Sequence, residues 1–157
     1  MSITLTTGSL VRSEGNYISQ ITEAQLYPYI DRAHFHVSES INDYNALYNE
    51  LTGSSPGTRA VKAQKAETFF ALGYSIVPLN SRTSPEGGII KTIGLGDSET
   101  QLLSFQEALD YSNYYLDQAQ TLMQEIYVTS ASLSAGVLES ALSQSYISTG
   151  NIFYGAI

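Results

Sequence analysis

The chain has 157 residues, no cysteine, and a composition that is 43% hydrophobic and 14% charged, which predicts one ordinary globular domain or a compact core with appendages. The absence of cysteine excludes thiol nucleophiles, cysteine zinc sites and iron–sulfur clusters. Seven Lys and Arg residues against fifteen Asp and Glu residues give a net charge of −8, which opposes binding to nucleic-acid phosphates and anionic membranes. The first residues lack a basic start followed by an apolar run, and no apolar stretch reaches about 18 residues, so we expect neither a signal peptide nor a membrane span.

Charge is unevenly distributed along the chain. All seven basic residues lie at or before Lys91, whereas the residues after it include seven acids, Asp97, Glu99, Glu107, Asp110, Asp117, Glu125 and Glu139. A region with one sign of charge stays soluble and repels polyanions. The segment 128–157 is different, because Glu139 is its one charge among serines and apolar side chains. We expect this segment to be an extended tail that docks on a partner.

The first helical pattern follows an N-terminal arm. Residues 1–21 show no 3.6-residue period, which predicts an irregular arm with one short strand at most. From Thr22 a stripe repeats at alternating steps of four and three, formed by Leu26, Ile30, His34, Val37, Ile41, Tyr44, Tyr48 and Leu51. Thr22 and Gln25 have capping-box spacing, and Gly53 stands where a left-handed C-terminal cap belongs. Pro28 and the pair Asn42-Asp43 leave open a late start or a break between two helices.

Two further helices are predicted, separated by a long loop. The strong helix formers after the turn at 53–58 predict a helix that Pro78 ends, and Gly73 within it predicts the close approach of another helix. Residues 79–103 predict a glycine-rich loop or small hairpin that contacts a neighbouring subunit or tail component. Ser104 and Glu107 then form a capping box for a helix with the stripe Phe105, Leu109, Ser112, Leu116, Ala119, Met123 and Ile126. The predicted fold is mostly α, a small bundle of three or four helices over 22–127.

Motifs that suggest catalysis have weak structural context. Gly53 to Gly57 spell G-x-S-x-G, but a predicted helix precedes this serine where the nucleophile elbow needs a strand, so an interhelical turn is favoured over a hydrolase. His34 and His36 point about 200° apart on a helix and cannot share a metal, which makes His34 a core-edge residue and His36 a solvent residue. The carboxylate pairs on this chain favour a solvated acidic face over acid–base catalysis. We therefore expect no enzyme, no cofactor and no metal site.

Twelve tyrosines without a tryptophan are the other unusual feature of the composition. Tyrosine buries a large area and keeps a polar end, which makes it frequent both at the periphery of cores and at protein interfaces. The sequence leaves both interpretations open, and the apolar tail, which also needs a partner, favours the interface.

The order of these segments resembles the head-to-tail connector adaptor proteins of tailed bacteriophages. The resemblance is one of layout and composition over about residues 20–127. It comprises, in order, ITEAQLYPYIDRAHFHVSESI, KAQKAETFFALGYSIVPLN, the loop EGGIIKTIGLGDSETQLLS and FQEALDYSNYYLDQAQTLMQ. In that family a small helical bundle assembles as a ring, usually twelve-fold, beneath the portal, and C-terminal segments grip the portal.

The resemblance implies a structural virion protein in the phage neck, made in the host cytoplasm. Its partners would be further copies of itself in a twelve-fold ring, the portal, and a tail-side neck or terminator protein, with no membrane and no specific DNA binding. Portal contacts would come from the tail residues Leu133, Val137, Leu138, Leu142, Ile147 and Phe153. Acids that line the DNA channel would be Asp97, Glu99, Glu107, Asp110, Asp117 and Glu125. The alternatives are a tail terminator or head-completion protein, and a small acidic helical binding module of the chaperone or anti-repressor type.

Overall fold

A computed structural model describes residues 3–17, 21–82 and 103–132, and the predicted mostly α fold is confirmed. Five helices form a small bundle: α1 (Gly8–Glu14), α2 (Glu23–Ser40), α3 (Tyr44–Leu51), α4 (Thr58–Arg82) and α5 (Phe105–Ser132). No β-strand occurs in these three ranges. The helix α5 extends five residues into the segment that the sequence assigns to the tail.

Helix α4 lies at the centre of the bundle, and α1, α2, α3 and α5 all pack against it. Every residue from Ala66 to Gly73 is buried, so this helix has no solvent-facing side over two full turns. Small side chains at Ala60, Ala63 and Ala66 bring its neighbours close. The chain therefore folds as layers around one enclosed helix.

The longest helix–helix contact joins α4 and α5 at Gly73, as the sequence predicts. A Cβ atom at Gly73 would lie 2.6 Å from Leu116 Cδ2 and 3.2 Å from the carbonyl oxygen of Ser112. The hydroxyl of Ser112 donates to the carbonyl of Gly73 at 2.6 Å, across the contact. The absence of a side chain at this position lets the two backbones meet.

The predicted end of α4 at Pro78 is wrong. Pro78 lies inside α4, which continues to Arg82. A proline removes one intrahelical hydrogen bond, and here the buried residues Leu79 and Asn80 beyond it keep the helix attached to the core. The Asn80 amide donates to the carbonyl of Leu103 at 3.4 Å, which ties the end of α4 to the start of α5. Residues 79–82 of the predicted loop are therefore helical.

The helical pattern from Thr22 to Leu51 divides into two helices, one of the two arrangements that the sequence leaves open. The break lies at Ile41, which is extended, and at the turn formed by Asn42 and Asp43. Pro28 neither delays nor breaks α2, which begins at Glu23. The predicted stripe is confirmed, with His34, Tyr48 and Leu51 half-buried and its other members buried. Gly53, in contrast, does not adopt the predicted left-handed backbone.

The N-terminal segment differs most from its prediction of an irregular arm. Residues 8–14 form α1, capped by the Thr7 side chain, which accepts from the Leu10 N–H at 3.3 Å. The helix ends in a Schellman motif with Asn16 at φ 49°, where the Tyr17 N–H donates to the carbonyl of Arg12 at 3.1 Å. This turn buries Tyr17, whose hydroxyl lies 2.5 Å from Ser75 Oγ on α4. A seven-residue helix is too short to show a period, which is why the sequence pattern missed it.

The close contact at Gly73 predicts a specific sensitivity. Replacing Gly73 with Val should lower the free energy of unfolding by about 1–3 kcal/mol, because the Ser112 carbonyl belongs to the backbone and cannot turn aside. Urea unfolding followed by circular dichroism measures this change. Gln120→Val, at an exposed position of α5, is the control and should change stability by about 0.5 kcal/mol or less. A Gly73→Val protein as stable as the wild type would contradict the close approach.

Candidate functional site

The residues predicted to bind the portal lie outside the described part of the chain. This holds for Leu133, Val137, Leu138, Leu142, Ile147 and Phe153. It also holds for the loop acids Asp97 and Glu99. The predicted channel acids that the structure describes are therefore the four on α5.

Glu107 acts as a helix cap. Its Oε2 accepts from the Ser104 N–H at 2.7 Å, and the Ser104 Oγ accepts from the Glu107 N–H at 3.2 Å, which confirms the predicted capping box. These bonds to Ser104 hold the pKa of the Glu107 carboxyl below its ordinary value. The residue is exposed, but its carboxylate is already engaged in starting α5.

Glu125 lies at the other end of α5 and has a basic partner. Its Oε2 is 2.8 Å from Lys62 Nζ on α4. Both side chains are partly exposed, so this ion pair contributes about 0–1 kcal/mol to stability. The charge of Glu125 is thus locally compensated.

Asp110 and Asp117 form the uncompensated part of the acidic set. They are seven residues apart on α5, which places both on its outer face, and both are exposed. Asp110 accepts from the Gln106 amide at 2.9 Å. Over the described ranges, the carboxylate of Asp117 makes no hydrogen bond or ion pair, and neither residue has a basic partner within 4 Å.

Exposed aromatic and apolar side chains share this end of α5. We use the name α5 surface for a set of six residues: Phe105, Glu107, Leu109, Asp110, Tyr111 and Tyr114. Glu107, Asp110, Tyr111 and Tyr114 line one shallow depression on it. Phe105 is 64% exposed and Tyr114 is 55% exposed. The surface therefore combines aromatic rings, whose burial in an interface would be favourable, with carboxylates, which are stable in water or beside a basic group.

The first turn of α5 departs from its predicted stripe. The stripe predicts that Phe105 and Leu109 face the core, yet both are exposed, Leu109 to 36%. The face of α5 that meets α4 is centred on the small residues Ala108, Ser112 and Ala119, because they permit the approach at Gly73. Phe105 and Leu109 lie on the flank of that face. From Ser112 to Ile126 the predicted stripe is buried or half-buried.

The described tyrosines fall into three groups by exposure. Tyr17 and Tyr44 are buried. A second group packs against the core while half-buried, comprising Tyr29, Tyr48, Tyr74 and Tyr115. A third group is exposed, comprising Tyr27, Tyr111, Tyr114 and Tyr127. Tyrosine is thus both a core-periphery residue and a surface residue in this fold.

The histidines and the serine motif have structural neighbours. His34 is half-buried, and its Nδ1 lies 2.9 Å from the Tyr44 hydroxyl, whereas the exposed His36 packs its ring on Phe70 with centroids 4.4 Å apart. Burial lowers the pKa of His34. Gly53 to Gly57 connect α3 to α4, as the turn interpretation predicts. Within the described residues, no three His, Cys, Asp or Glu side chains come together as metal ligands could.

Glu67 is the residue that the sequence pattern missed. It lies on α4 and is 0% exposed. Its Oε1 accepts from the backbone N–H groups of Leu5 at 2.9 Å and Thr6 at 3.1 Å, and its Oε2 accepts from the Tyr44 hydroxyl at 2.5 Å. Burial raises the pKa of Glu67 to about 7 despite these three bonds. A glutamate among helix formers normally indicates a surface position, so the burial of Glu67 is evident only from the enclosure of α4 in the structure.

Comparisons of this chain with protein-family models, curated proteins and solved structures gave no match. In the part of the chain that the structure describes, no helix combines the length and the apolar character that crossing a membrane requires.

The capping box at α5 predicts how its acid should respond to substitution. Ser104→Ala should lower the free energy of unfolding by about 1 kcal/mol, the usual contribution of an N-cap side chain. Glu107→Gln should keep the cap, because an amide oxygen can also accept from the Ser104 N–H, whereas Glu107→Lys should weaken it. Urea unfolding checks all three, with Gln118→Ala on the outer face as the control. Equal stability of the Glu107→Gln and Glu107→Lys proteins would show that the Glu107 side chain contributes nothing to the cap.

Proposed function

We propose that this protein is a non-enzymatic structural subunit that forms a ring in a phage neck, joins the portal to the tail and continues the channel for DNA. The observation that supports it best is the α5 surface, where exposed rings and carboxylates without a basic partner among the described residues lie on the outer side of one helix. The resemblance in layout to connector adaptors supplies the phage context.

The geometry of α5 allows one helix to serve both a subunit contact and a channel. Leu109 and Asp110 are consecutive, so they point about 100° apart around the helix. The flank with Phe105 and Leu109 is suited to burial against a neighbouring subunit. The face with Asp110 and Asp117 can then remain in water, where it repels passing phosphates and does not retain them.

A closed ring requires two different patches on each subunit, because each copy contacts its neighbours head to tail. Helix α2 offers a second patch. Phe35 is 62% exposed, and Tyr27 two turns earlier is also exposed. Arg32 lies between them in the sequence, and its guanidinium stands over the Tyr74 ring at 4.1 Å. The exposed rings of α2 can pack against the apolar flank of a neighbouring α5, which leaves the acids of that helix in water.

The mass of the purified full chain, measured alone and mixed with the portal by native mass spectrometry, tests the proposal. A ring, or a complex with the portal, supports it. A stable monomer that does not bind the portal contradicts the proposal and favours the small acidic binding module. Binding to the end of the tail tube without binding to the portal would favour a terminator. A chain that lacks 133–157 should keep its helical content and lose portal binding, because the predicted portal contacts lie in that segment.

Charge reversal tests the channel role separately. Asp110→Lys combined with Asp117→Lys should leave folding and ring assembly intact, because exposed charges contribute about 0–1 kcal/mol. DNA ejection from particles should slow, and more so at low salt, because the lysines attract phosphates through a screened interaction.

The matched control for this charge reversal is Glu14→Lys combined with Glu50→Lys, which changes the net charge equally at exposed positions of α1 and α3. Ejection at the wild-type rate at every ionic strength in the α5 variant would remove the channel role. Equal slowing by both double variants would assign the effect to total charge.

A further inference from the structure

The residues before α1 are held against α4 by polar bonds. The backbone of Leu5 and Thr6 donates to Glu67, as described above, and the carbonyl of Leu5 accepts from the Gln64 amide at 2.9 Å. The Thr6 hydroxyl lies 2.7 Å from that of Thr68. Both residues are buried, although the segment 3–7 has no helix or sheet bonding of its own. We call this segment the latch.

The groups that face Glu67 include no bonded cation. From α3 comes the Tyr44 hydroxyl, with Tyr48 beside Tyr44. From α2 comes His34, which reaches Glu67 only through Tyr44, with Asp31 beside it. The latch contributes backbone N–H groups alone. A carboxylate enclosed in this way has hydrogen bonds but no neutralising partner within the described residues, so its charge is costly to bury.

The hydrogen bonds around Tyr44 can accommodate either charge state of Glu67. When Glu67 is ionised, the Tyr44 hydroxyl donates to Oε2 and accepts from His34 Nδ1–H. When Glu67 carries a proton, Oε2–H donates to the Tyr44 oxygen, whose own hydrogen turns to His34 Nδ1. The Leu5 N–H, 3.0 Å from the Tyr44 oxygen, is retained in both arrangements. No heavy atom has to move: Glu67 gains one proton, and the proton of neutral His34 shifts from Nδ1 to Nε2 by exchange with water, so that the net change is one proton.

We propose that closure of the latch takes up a proton at Glu67, so that residues 3–7 are held more tightly in mildly acidic than in alkaline solution. When the latch is open, Glu67 meets water and ionises as an ordinary glutamate. When it is closed, burial among Leu5, Thr6 and Tyr44 disfavours the ion. The latch is therefore a proton-linked closure built into the fold, independent of the assembly role.

The direction of the effect follows from the two pKa values of Glu67. Its ordinary value is 4.5, and burial raises it to about 7 in the closed state, so the closed form holds more protons between these values. The equilibrium constant for closing is largest below a pH of about 4.5 and decreases as the pH rises to about 7. Over this range the constant changes on the order of a hundredfold.

Amide hydrogen exchange of the full chain measures closure directly. The protection factors of the Leu5 and Thr6 amides, each corrected for the intrinsic rate at its pH, should fall on the order of a hundredfold between pH 4.5 and pH 8. In Glu67→Gln, which resembles the protonated side chain, they should be independent of pH. Wild-type protection that does not change with pH, or unchanged pH dependence in Glu67→Gln, would overturn the proposal.

Two further variants distinguish titration of Glu67 from a general weakening of the latch and from titration of His34. Gln64→Ala removes the bond to the Leu5 carbonyl and should reduce protection by the same factor at both pH values. His34→Gln keeps a group that can bond to Tyr44 and should keep the pH dependence. Loss of that dependence in His34→Gln would assign the titration to His34 and overturn the proposal.

A measurement on the wild-type protein tests the proposal without depending on whether a variant folds. The ¹³C chemical shift of the Glu67 carboxyl, followed against pH by NMR, should titrate near neutrality. Titration near 4.5 would show that the closed latch holds an ionised carboxylate, and the proposal would fail whatever the variants do.

Discussion

The middle of helix α4 is enclosed by the rest of the protein, so each buried polar side chain there must find a partner inside. Glu67 binds the backbone of the N-terminal segment, the Thr68 hydroxyl meets that of Thr6, and the Ser75 hydroxyl meets that of Tyr17. Buried donors and acceptors without partners would each cost about 1–3 kcal/mol. The buried polar positions of α4 are consequently the positions where other segments attach specifically, beyond what apolar packing provides.

Each attachment joins α4 to a part of the chain that is distant in sequence. Glu67 connects the segment before α1 with Tyr44 of α3, and Ser75 meets Tyr17 at the end of α1. Apolar contacts alone tolerate sliding between packed surfaces, whereas hydrogen bonds of defined length fix one register. The polar bonds thus explain why a short N-terminal helix with little apolar surface has a defined place on the bundle.

Helix α5 differs from α4 in having one side that the described helices leave exposed. It meets α4 through small residues and Gly73, and its other side carries rings and acids that the described bundle leaves in water. Of the four acids, Glu107 caps the helix and Glu125 pairs with Lys62, which leaves Asp110 and Asp117 without a described basic partner. An assembly role would use this side, because the described helices do not cover it.

Local patterns in the sequence determined much of the helical framework. The stripe from Leu26 to Leu51, the capping box of Ser104 with Glu107 and the close approach at Gly73 could all be predicted, because periodicity and cap spacing are local signals and a glycine inside a helix indicates a close neighbour. The assembly role, the portal contacts and the channel acids remain predictions, since they concern partners. Only the tertiary structure decided that α4 continues past Pro78, that Phe105 and Leu109 face water, that residues 8–14 form a helix and that Glu67 is buried. These outcomes depend on what surrounds a residue from distant parts of the chain, and helical periodicity carries no information about that surrounding.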